Sequence, residues 1–107
     1  MKKYDLNKLS AISKKIKNKG HKIGLCHGVF DVIHAGHISH FEEVKKKCDF
    51  LFVTITEDKY VNKGPNRPVN NHYFRAKIVE SLKQVDCVGI NFSPDASTSI
   101  RKIKPDL

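Results

Sequence analysis

The feature that most constrains this chain is a glycine-containing turn between an apolar run and a helical segment. The turn covers residues 28–37 and reads GVFDVIHAGH. The apolar run at residues 23–26 predicts a strand before the turn, and residues 38–47 continue as a helix after it. A strand that runs through a glycine turn into a helix directs backbone N–H groups and the positive end of the helix dipole at one point. Such an arrangement favours a bound anion, above all a phosphate.

Two histidines stand at the start of this helix. His34 and His37 are three residues apart, so they share one side of the first turn and supply side-chain donors there. Gly36, between them, has no Cβ to obstruct the close approach of a ligand. Asp31 precedes them and either caps the helix or faces the anion. Because these residue types occur together in one context, the sequence predicts a phosphate site and not a polar helix start without a chemical role.

A metal site is the alternative for the histidines, because His27 and His40 extend the series. Helical positions three apart are offset by about 60°, so His34, His37 and His40 do not converge well on one ion. We therefore predict that these histidines hold no metal.

A second group of candidate residues is cationic and follows the second predicted strand. Lys63 and Arg67 lie in a loop rich in proline, glycine and asparagine at residues 59–70, and Arg75 lies on the next helix. Open α/β sheets bind ligands beyond the carboxyl ends of their strands, so we expect these cations to face the phosphate turn. The alternative for Lys63 alone is a surface charge without a function.

Strand and helix patterns alternate along the chain. Helices are predicted over residues 5–17, 35–47, 71–82 and 94–102, and strands over residues 21–26, 50–56 and 86–92. Short connections between them predict an α/β fold, namely a Rossmann-like, doubly wound parallel sheet. We expect one domain over residues 1–107, in which a lysine-rich N-terminal helix (1–20) precedes the Rossmann-like core (21–107).

The pattern reaches Asp106 and Leu107 where a fourth parallel strand is expected, because Pro105 closes the preceding helix. A three-stranded sheet has little protection at its edges. We therefore expect the chain to be a fragment of a longer enzyme that lacks its last strands. Alone it should be marginally stable, or should cover the edge as a homodimer.

The charge balance is strongly basic. The net charge is +9, from 20 lysines and arginines against 11 acidic residues. Lysines crowd the first 22 residues, where only Asp5 opposes them. Such an excess suits nucleic acid or small anions such as nucleotides and sugar phosphates. Arginines interleaved with aromatic residues, as in single-strand binders, are not seen, so the lysine-rich face is predicted to be solvated and nucleic acid is not an expected partner.

Membranes and disulfides are not expected either. No apolar run approaches the roughly 20 residues of a membrane span, and no signal-peptide pattern is seen. The three cysteines, Cys26, Cys48 and Cys87, are widely spaced and odd in number. They predict reduced thiols and a cytoplasmic location.

Residues 28–37 resemble the H-x-G-H signature of the nucleotidylyltransferase superfamily, in its cytidylyltransferase-like group. The resemblance covers residues 22–107 and includes residues 50–58, the loop KYVNKGP at 59–65, Arg75 and the IKPD at 103–106. It looks most similar to the branch that activates phosphorylated sugars and alditols. That branch includes glycerol-3-phosphate cytidylyltransferases and heptose-phosphate adenylyltransferase domains, and some of its members are joined to a sugar kinase.

The resemblance implies an enzyme that transfers CMP or AMP from CTP or ATP to a phosphorylated sugar or alditol, with Mg²⁺ entering beside the nucleotide. A substrate phosphate oxygen attacks the α-phosphorus, and pyrophosphate leaves without a covalent enzyme intermediate. The residues implied in catalysis are His34, His37 and Lys63. Those implied in nucleotide binding are Gly28, Val29, Phe30, Asp31, His34, Gly36, His37 and Arg75. Those implied in substrate binding are Lys63 and Arg67.

Two departures from the family pattern lower the activity expected of the isolated chain. Val29 stands where the family often has Thr or Cys, so a side-chain contact to phosphate is missing. The later Ser/Thr-rich segment that helps hold the nucleotide has no counterpart, because the STS at residues 97–99 precedes the KPD. Two other functions stay open. One is a coenzyme-precursor adenylyltransferase, against which residues 59–65 argue, and the other is a nucleotide-binding module without turnover.

Overall fold

The structure is a computed structural model that describes residues 4–61, 68 and 70–107 of the chain. Helices and strands alternate along these residues. The helices are α1 (Leu6–Asn18), α2 (Ala35–Lys46), α3 (His72–Glu80) and α4 (Ser97–Ile103). The strands are β1 (Ile23–Gly28), β2 (Phe50–Thr56) and β3 (Cys87–Asn91), and a 3₁₀ turn at Asp58–Tyr60 follows β2.

The three strands form one parallel sheet in the order β1-β2-β3. β1 pairs with β2 from Ile23 opposite Phe50 to Gly28 opposite Ile55. β2 pairs with β3 from Phe52 opposite Cys87 to Thr56 opposite Asn91. All three carboxyl ends therefore meet at one edge of the sheet, where parallel sheets bind their ligands.

Both faces of the sheet are covered, because the side chains of the central strand alternate between two cores. Val53 and Ile55 point to a core that also holds Phe41 of α2 and Val79 of α3. Phe52 points the other way, into a core built by Leu6 and Leu9 of α1 with Ile103 of α4. Helices on both faces of a parallel sheet confirm the predicted doubly wound α/β fold.

Both outer edges of the sheet receive backbone hydrogen bonds. The amides of Asp106 and Leu107 donate to the carbonyl of Ile23 (2.8 and 3.3 Å), and the amide of Leu25 donates to the carbonyl of Leu107 (3.4 Å). These bonds follow the pattern of a parallel pair, so residues 106–107 run beside β1 as expected. On the other side, the amide of Ile90 donates to the carbonyl of Tyr4 at 3.0 Å.

Element boundaries differ from the predicted ones, among them the end of β1 and the start of α4. β1 continues to Gly28, beyond its predicted end, because His27 and Gly28 pair with Thr54 and Ile55. α4 begins at Ser97, later than predicted, and the carboxylate of Asp95 accepts a hydrogen bond from the amide of Ser97 at 2.9 Å just before it.

Two expectations from composition concern cysteines and membrane spans. Cys26, Cys48 and Cys87 are all free thiols, as predicted. No helix in the described part of the chain is both long and apolar enough to cross a membrane.

Candidate active site

The glycine turn leaves the carboxyl end of β1 and is shaped by Phe30. This residue has a φ of 51°, in the left-handed region that side chains disfavour. Its ring packs edge-on against His37 and Phe41, with 5.4 Å between centroids in each pair. A Cβ on Gly28 would lie 2.9 Å from the tip of this ring. Glycine at 28 therefore allows the Phe30 ring to lie over the turn and support the ring of His37.

His34 and His37 hold each other at the first turn of α2. His34 is the N-cap, and its Nδ1 accepts a hydrogen bond from the amide of Gly36 at 3.0 Å. The Nδ1 of His37 accepts in turn from the amide of His34 at 3.2 Å. The two rings lie 4.0 Å apart between centroids and are tilted by 35°. A Cβ on Gly36 would meet Cε1 of His34 at 2.8 Å, so this glycine makes room for the capping imidazole.

These hydrogen bonds set the tautomer of both imidazoles. A neutral imidazole carries one proton, and a nitrogen that accepts a hydrogen bond does not carry it. Because Nδ1 accepts in both rings, Nε2 carries the N–H in both. The turn thus has two oriented N–H donors beside the positive end of α2, an arrangement suited to phosphate oxygens.

Asp31 lies at the base of the turn and is 7% exposed. Its Oδ1 accepts from the amide of Asn70 at 2.9 Å, and the side-chain amide of Asn70 donates to its carbonyl at 3.1 Å. The alternative that Asp31 caps α2 is wrong, because His34 occupies the cap position. Asp31 instead joins the glycine turn to the segment that precedes α3.

Arg75 is completely buried beneath the turn. Its guanidinium donates from Nε to the carbonyl of Asn70 (2.9 Å) and from Nη1 to the carbonyl of Val29 (2.7 Å). Its Nη2 forms an ion pair with Oδ1 of Asp58 at 2.6 Å. Arg75 was predicted to bind the triphosphate, but here it faces protein atoms on all sides. It connects the ends of β1 and β2 to the start of α3, and so positions the turn.

A polar network that sequence reasoning missed lies on the α1/α4 side of the same edge. Nδ1 of His27 lies 2.9 Å from Oγ1 of Thr54, and Nε2 lies 3.4 Å from Oγ1 of Thr56. The hydroxyl of Thr56 donates to the carbonyl of Gly28 at 3.4 Å. Burial lowers the pKa of His27, and the nearby charge of Asp95 opposes that shift. The sequence signal for this network was the spacing of Thr54 and Thr56, which lie two residues apart in β2 and therefore share one face of the strand with each other.

Lys63 and Arg67, the two cations of the predicted loop, lie outside the described residues. Among residues 4–61, 68 and 70–107, no group of three or more histidine, cysteine or acidic side chains is placed to hold a metal ion. The ring of His40 instead lies 6.4 Å from the ring of Phe41.

A parallel α/β sheet with a histidine-capped helix at its carboxyl edge agrees with the nucleotidyltransferase domain that the H-x-G-H turn predicts. The family model described as cytidylyltransferase-like matches residues 25–107. The chain therefore belongs to the cytidylyltransferase-like family, which confirms the resemblance carried by the H-x-G-H turn.

Several known proteins are similar to this chain. The bifunctional protein HldE of Granulibacter bethesdensis is 37% identical over 97 residues, which cover 89% of this chain and 20% of that protein. The protein of the same name from Nitratiruptor sp. is 36% identical over 106 residues, which cover 96% of this chain and 23% of that protein. The chain thus spans about a fifth of the length of these relatives.

A solved structure is also similar. The lipopolysaccharide core biosynthesis protein from Thermoplasma volcanium matches with a TM-score of 0.75 and 30% identity. The match covers 81% of this chain and 71% of that one. The shared fold thus extends over most of both chains.

Proposed function

We propose that this domain transfers a nucleotidyl group from CTP or ATP to the phosphate of a phosphorylated sugar or alditol. The observation that carries the proposal is that backbone amides donate to Nδ1 of both His34 and His37 at the start of α2, which assigns the N–H of each neutral ring to Nε2. Family membership and the HldE relatives support the reaction class. The similarity to the lipopolysaccharide core biosynthesis protein from Thermoplasma volcanium supports a sugar acceptor, because that core is built from sugars.

In this reaction a phosphate oxygen of the acceptor forms a bond to the α-phosphorus of the nucleotide. The bond from that phosphorus to the bridging oxygen breaks, and pyrophosphate leaves with the electron pair. Negative charge builds on the α-phosphate oxygens as this occurs. Donors that are already oriented stabilise such charge without a reorganisation cost, which is the role proposed for His34 and His37.

The glycine turn supplies the nucleotide contacts in this proposal. Gly28 and Gly36 are proposed to let the nucleotide approach the backbone closely, while Val29, Phe30 and Asp31 line the turn. Arg75 acts by holding the turn and not by touching the nucleotide, since it is completely buried and each of its three nitrogens donates to protein. Lys63 and Arg67 are proposed to bind the acceptor phosphate or the triphosphate, with Lys63 also acting in catalysis.

Mg²⁺ is proposed to enter as part of the nucleotide substrate. Asp31, the acidic residue of the turn, is buried and accepts a hydrogen bond from Asn70, so this turn supplies one carboxylate and not a cage of protein ligands. Mg²⁺ commonly keeps several waters and binds through substrate phosphates, which suits this donor set. A homodimer, a cytoplasmic location and a sugar kinase domain in the same polypeptide remain predictions.

The test is pyrophosphate release from ATP and from CTP, each measured with a panel of sugar phosphates and with glycerol 3-phosphate. Release should require both a nucleotide and an acceptor, and should be lost in His34→Ala and His37→Ala. His40→Ala is the matched control, because His40 is exposed on the same helix outside the turn. Nucleotide binding without release under any pairing would favour the binding module. Turnover with a coenzyme precursor alone would favour the other branch of the superfamily.

A further inference from the structure

The helices that cover one face of the sheet carry only positive charge. Neither α1 nor α4 contains an acidic residue, whereas α2 on the other face carries two glutamates among its lysines. The cationic side chains of α1 and α4 are Lys8, Lys14, Lys15, Lys17, Arg101 and Lys102, and Lys104 follows directly. The basic excess of the chain is therefore concentrated on the α1/α4 face.

A groove of about 340 Å³ lies between α1 and α4 on this face. Its polar lining includes Lys14, Lys17, Lys102 and Lys104, with Ser10 and Asn18. The groove lies near the amino ends of the strands, because Asp106, two residues after Lys104, accepts a hydrogen bond from the amide of Ile23 at 2.8 Å. It is thus at the opposite edge of the sheet from the glycine turn.

Among the described residues, only one lysine of the groove has a carboxylate partner. Nζ of Lys102 donates to the side-chain oxygen of Asn7 at 2.7 Å, and Nζ of Lys17 donates to the carbonyl of Lys104. The carboxylate of Asp106 is 3.9 Å from Lys17. A lysine near a helix C-terminus is explained by the helix dipole, and this accounts for Lys17. The ammonium groups of Lys14 and Lys104 make no hydrogen bond or ion pair with any described residue.

Lys104 also occupies a backbone position that suits another residue. It is the C-cap of α4 and has a φ of 54°, in the left-handed region where glycine or asparagine is preferred. A lysine there costs conformational free energy relative to glycine. Local packing does not account for the side chain, because it is exposed.

From these features we infer that the α1/α4 groove binds a small phosphate-rich anion of the diphosphate or triphosphate class. Four lysines line this one groove, which gives it the positive charge that such an anion needs, and lysine binds phosphate as a point charge. Ser10 and Asn18 add neutral donors. None of the described residues that line the groove is aromatic, so a base has no ring on which to stack. The site therefore recognises phosphates and not a nucleobase. Inorganic pyrophosphate and ATP should therefore bind it similarly.

The test is a titration of the ¹⁵N-labelled protein with inorganic pyrophosphate, followed through the amides of Ser13 and Asn18. In the wild type, these amides should shift in a saturable way. In Lys14→Ala/Lys104→Ala the same binding should weaken about 100-fold, since each hydrogen bond to a charged group contributes about a tenfold change in affinity. Lys8→Ala/Lys15→Ala is the matched control, because both residues are exposed on α1 but do not line the groove.

Three results would overturn the inference. One is the lack of a saturable shift at Ser13 and Asn18. Another is equal weakening in the control variant, which would show diffuse charge and not a site. The third is a strong preference for ATP over pyrophosphate. The groove variant should retain nucleotidyl transfer, so failure of this inference and failure of the proposed function are distinguishable.

Discussion

Replacement of the buried Arg75 by alanine should destabilise the fold far more than loss of a surface cation. The guanidinium has no exposed area and donates to the carbonyls of Asn70 and Val29 and to the carboxylate of Asp58. Hydrogen bonds from a charged group contribute about 1.5–3 kcal/mol each. The Asp58 contact contributes less than this, because its side chain is 33% exposed and solvent screens the pair. Removal of one partner from a buried ionic network costs about 3–5 kcal/mol.

We therefore expect Arg75→Ala to lower the free energy of unfolding by about 4 kcal/mol, a large fraction of the 5–15 kcal/mol typical of a domain. Urea denaturation followed by circular dichroism measures this change directly. Arg75→Lys keeps the charge but not the fork of donors, so it should lose about half as much. Lys77→Ala is the control, because Lys77 is exposed on the same helix and should change stability by less than about 0.5 kcal/mol.

A loss below about 1 kcal/mol in Arg75→Ala, or a loss equal to that of Lys77→Ala, would refute the role of Arg75 as the buried link between β1, β2 and α3. A second measurement separates positioning from stability. Where Arg75→Lys still folds, the amide resonance of Phe30 should shift, because the carbonyl of Val29 has lost its partner. An unchanged Phe30 resonance would show that the turn holds its shape without Arg75.

His34→Ala and His37→Ala should each lower kcat by about 10²–10³ with a smaller effect on nucleotide KM, as expected for a donor that acts in the transition state. Steady-state kinetics checks this, and unchanged turnover would remove both residues from catalysis. Lys63→Ala and Arg67→Ala should mainly raise KM, since they bind charges present in ground and transition states. A large fall in kcat at constant KM would instead place one of them at the reacting phosphorus. Burial lowers the pKa of His27 below 6.5, so the unfolded chain binds a proton more readily and stability should fall as the pH drops below 6.5. Urea titrations at two pH values should show this loss reduced in His27→Gln, and equal pH dependence in both proteins would contradict it.

The sequence predicted those parts of the fold that depend on local pattern. The alternation of strands and helices placed β2 at residues 50–56 as the structure has it, and the glycine turn followed β1 as expected. The capping geometry of His34 was missed, because Ser, Thr, Asp and Asn are the usual N-caps and Asp31 was nearby. Its neighbour Gly36 was explained by ligand access, whereas the structure also shows it making room for the imidazole.

The remaining differences arise from contacts between residues distant in sequence. Arg75 looked like a phosphate ligand because it is a cation near a phosphate turn. Its burial depends on Val29, 46 residues away, and no periodicity encodes that separation. The same holds for His27 and Thr54, which meet only because β1 and β2 pair in that register.

The ring of Phe30 over Gly28 has an evolutionary consequence, since neither position can change alone without a loss of stability. While an aromatic ring lies over residue 28, any side chain there collides with it. A glycine at 30 would relieve the left-handed backbone, but would remove the ring that His37 and Phe41 pack against. Each single step therefore passes through a less stable protein. Lineages that reshape this turn should change both positions together, and a double-mutant cycle between them should be strongly non-additive.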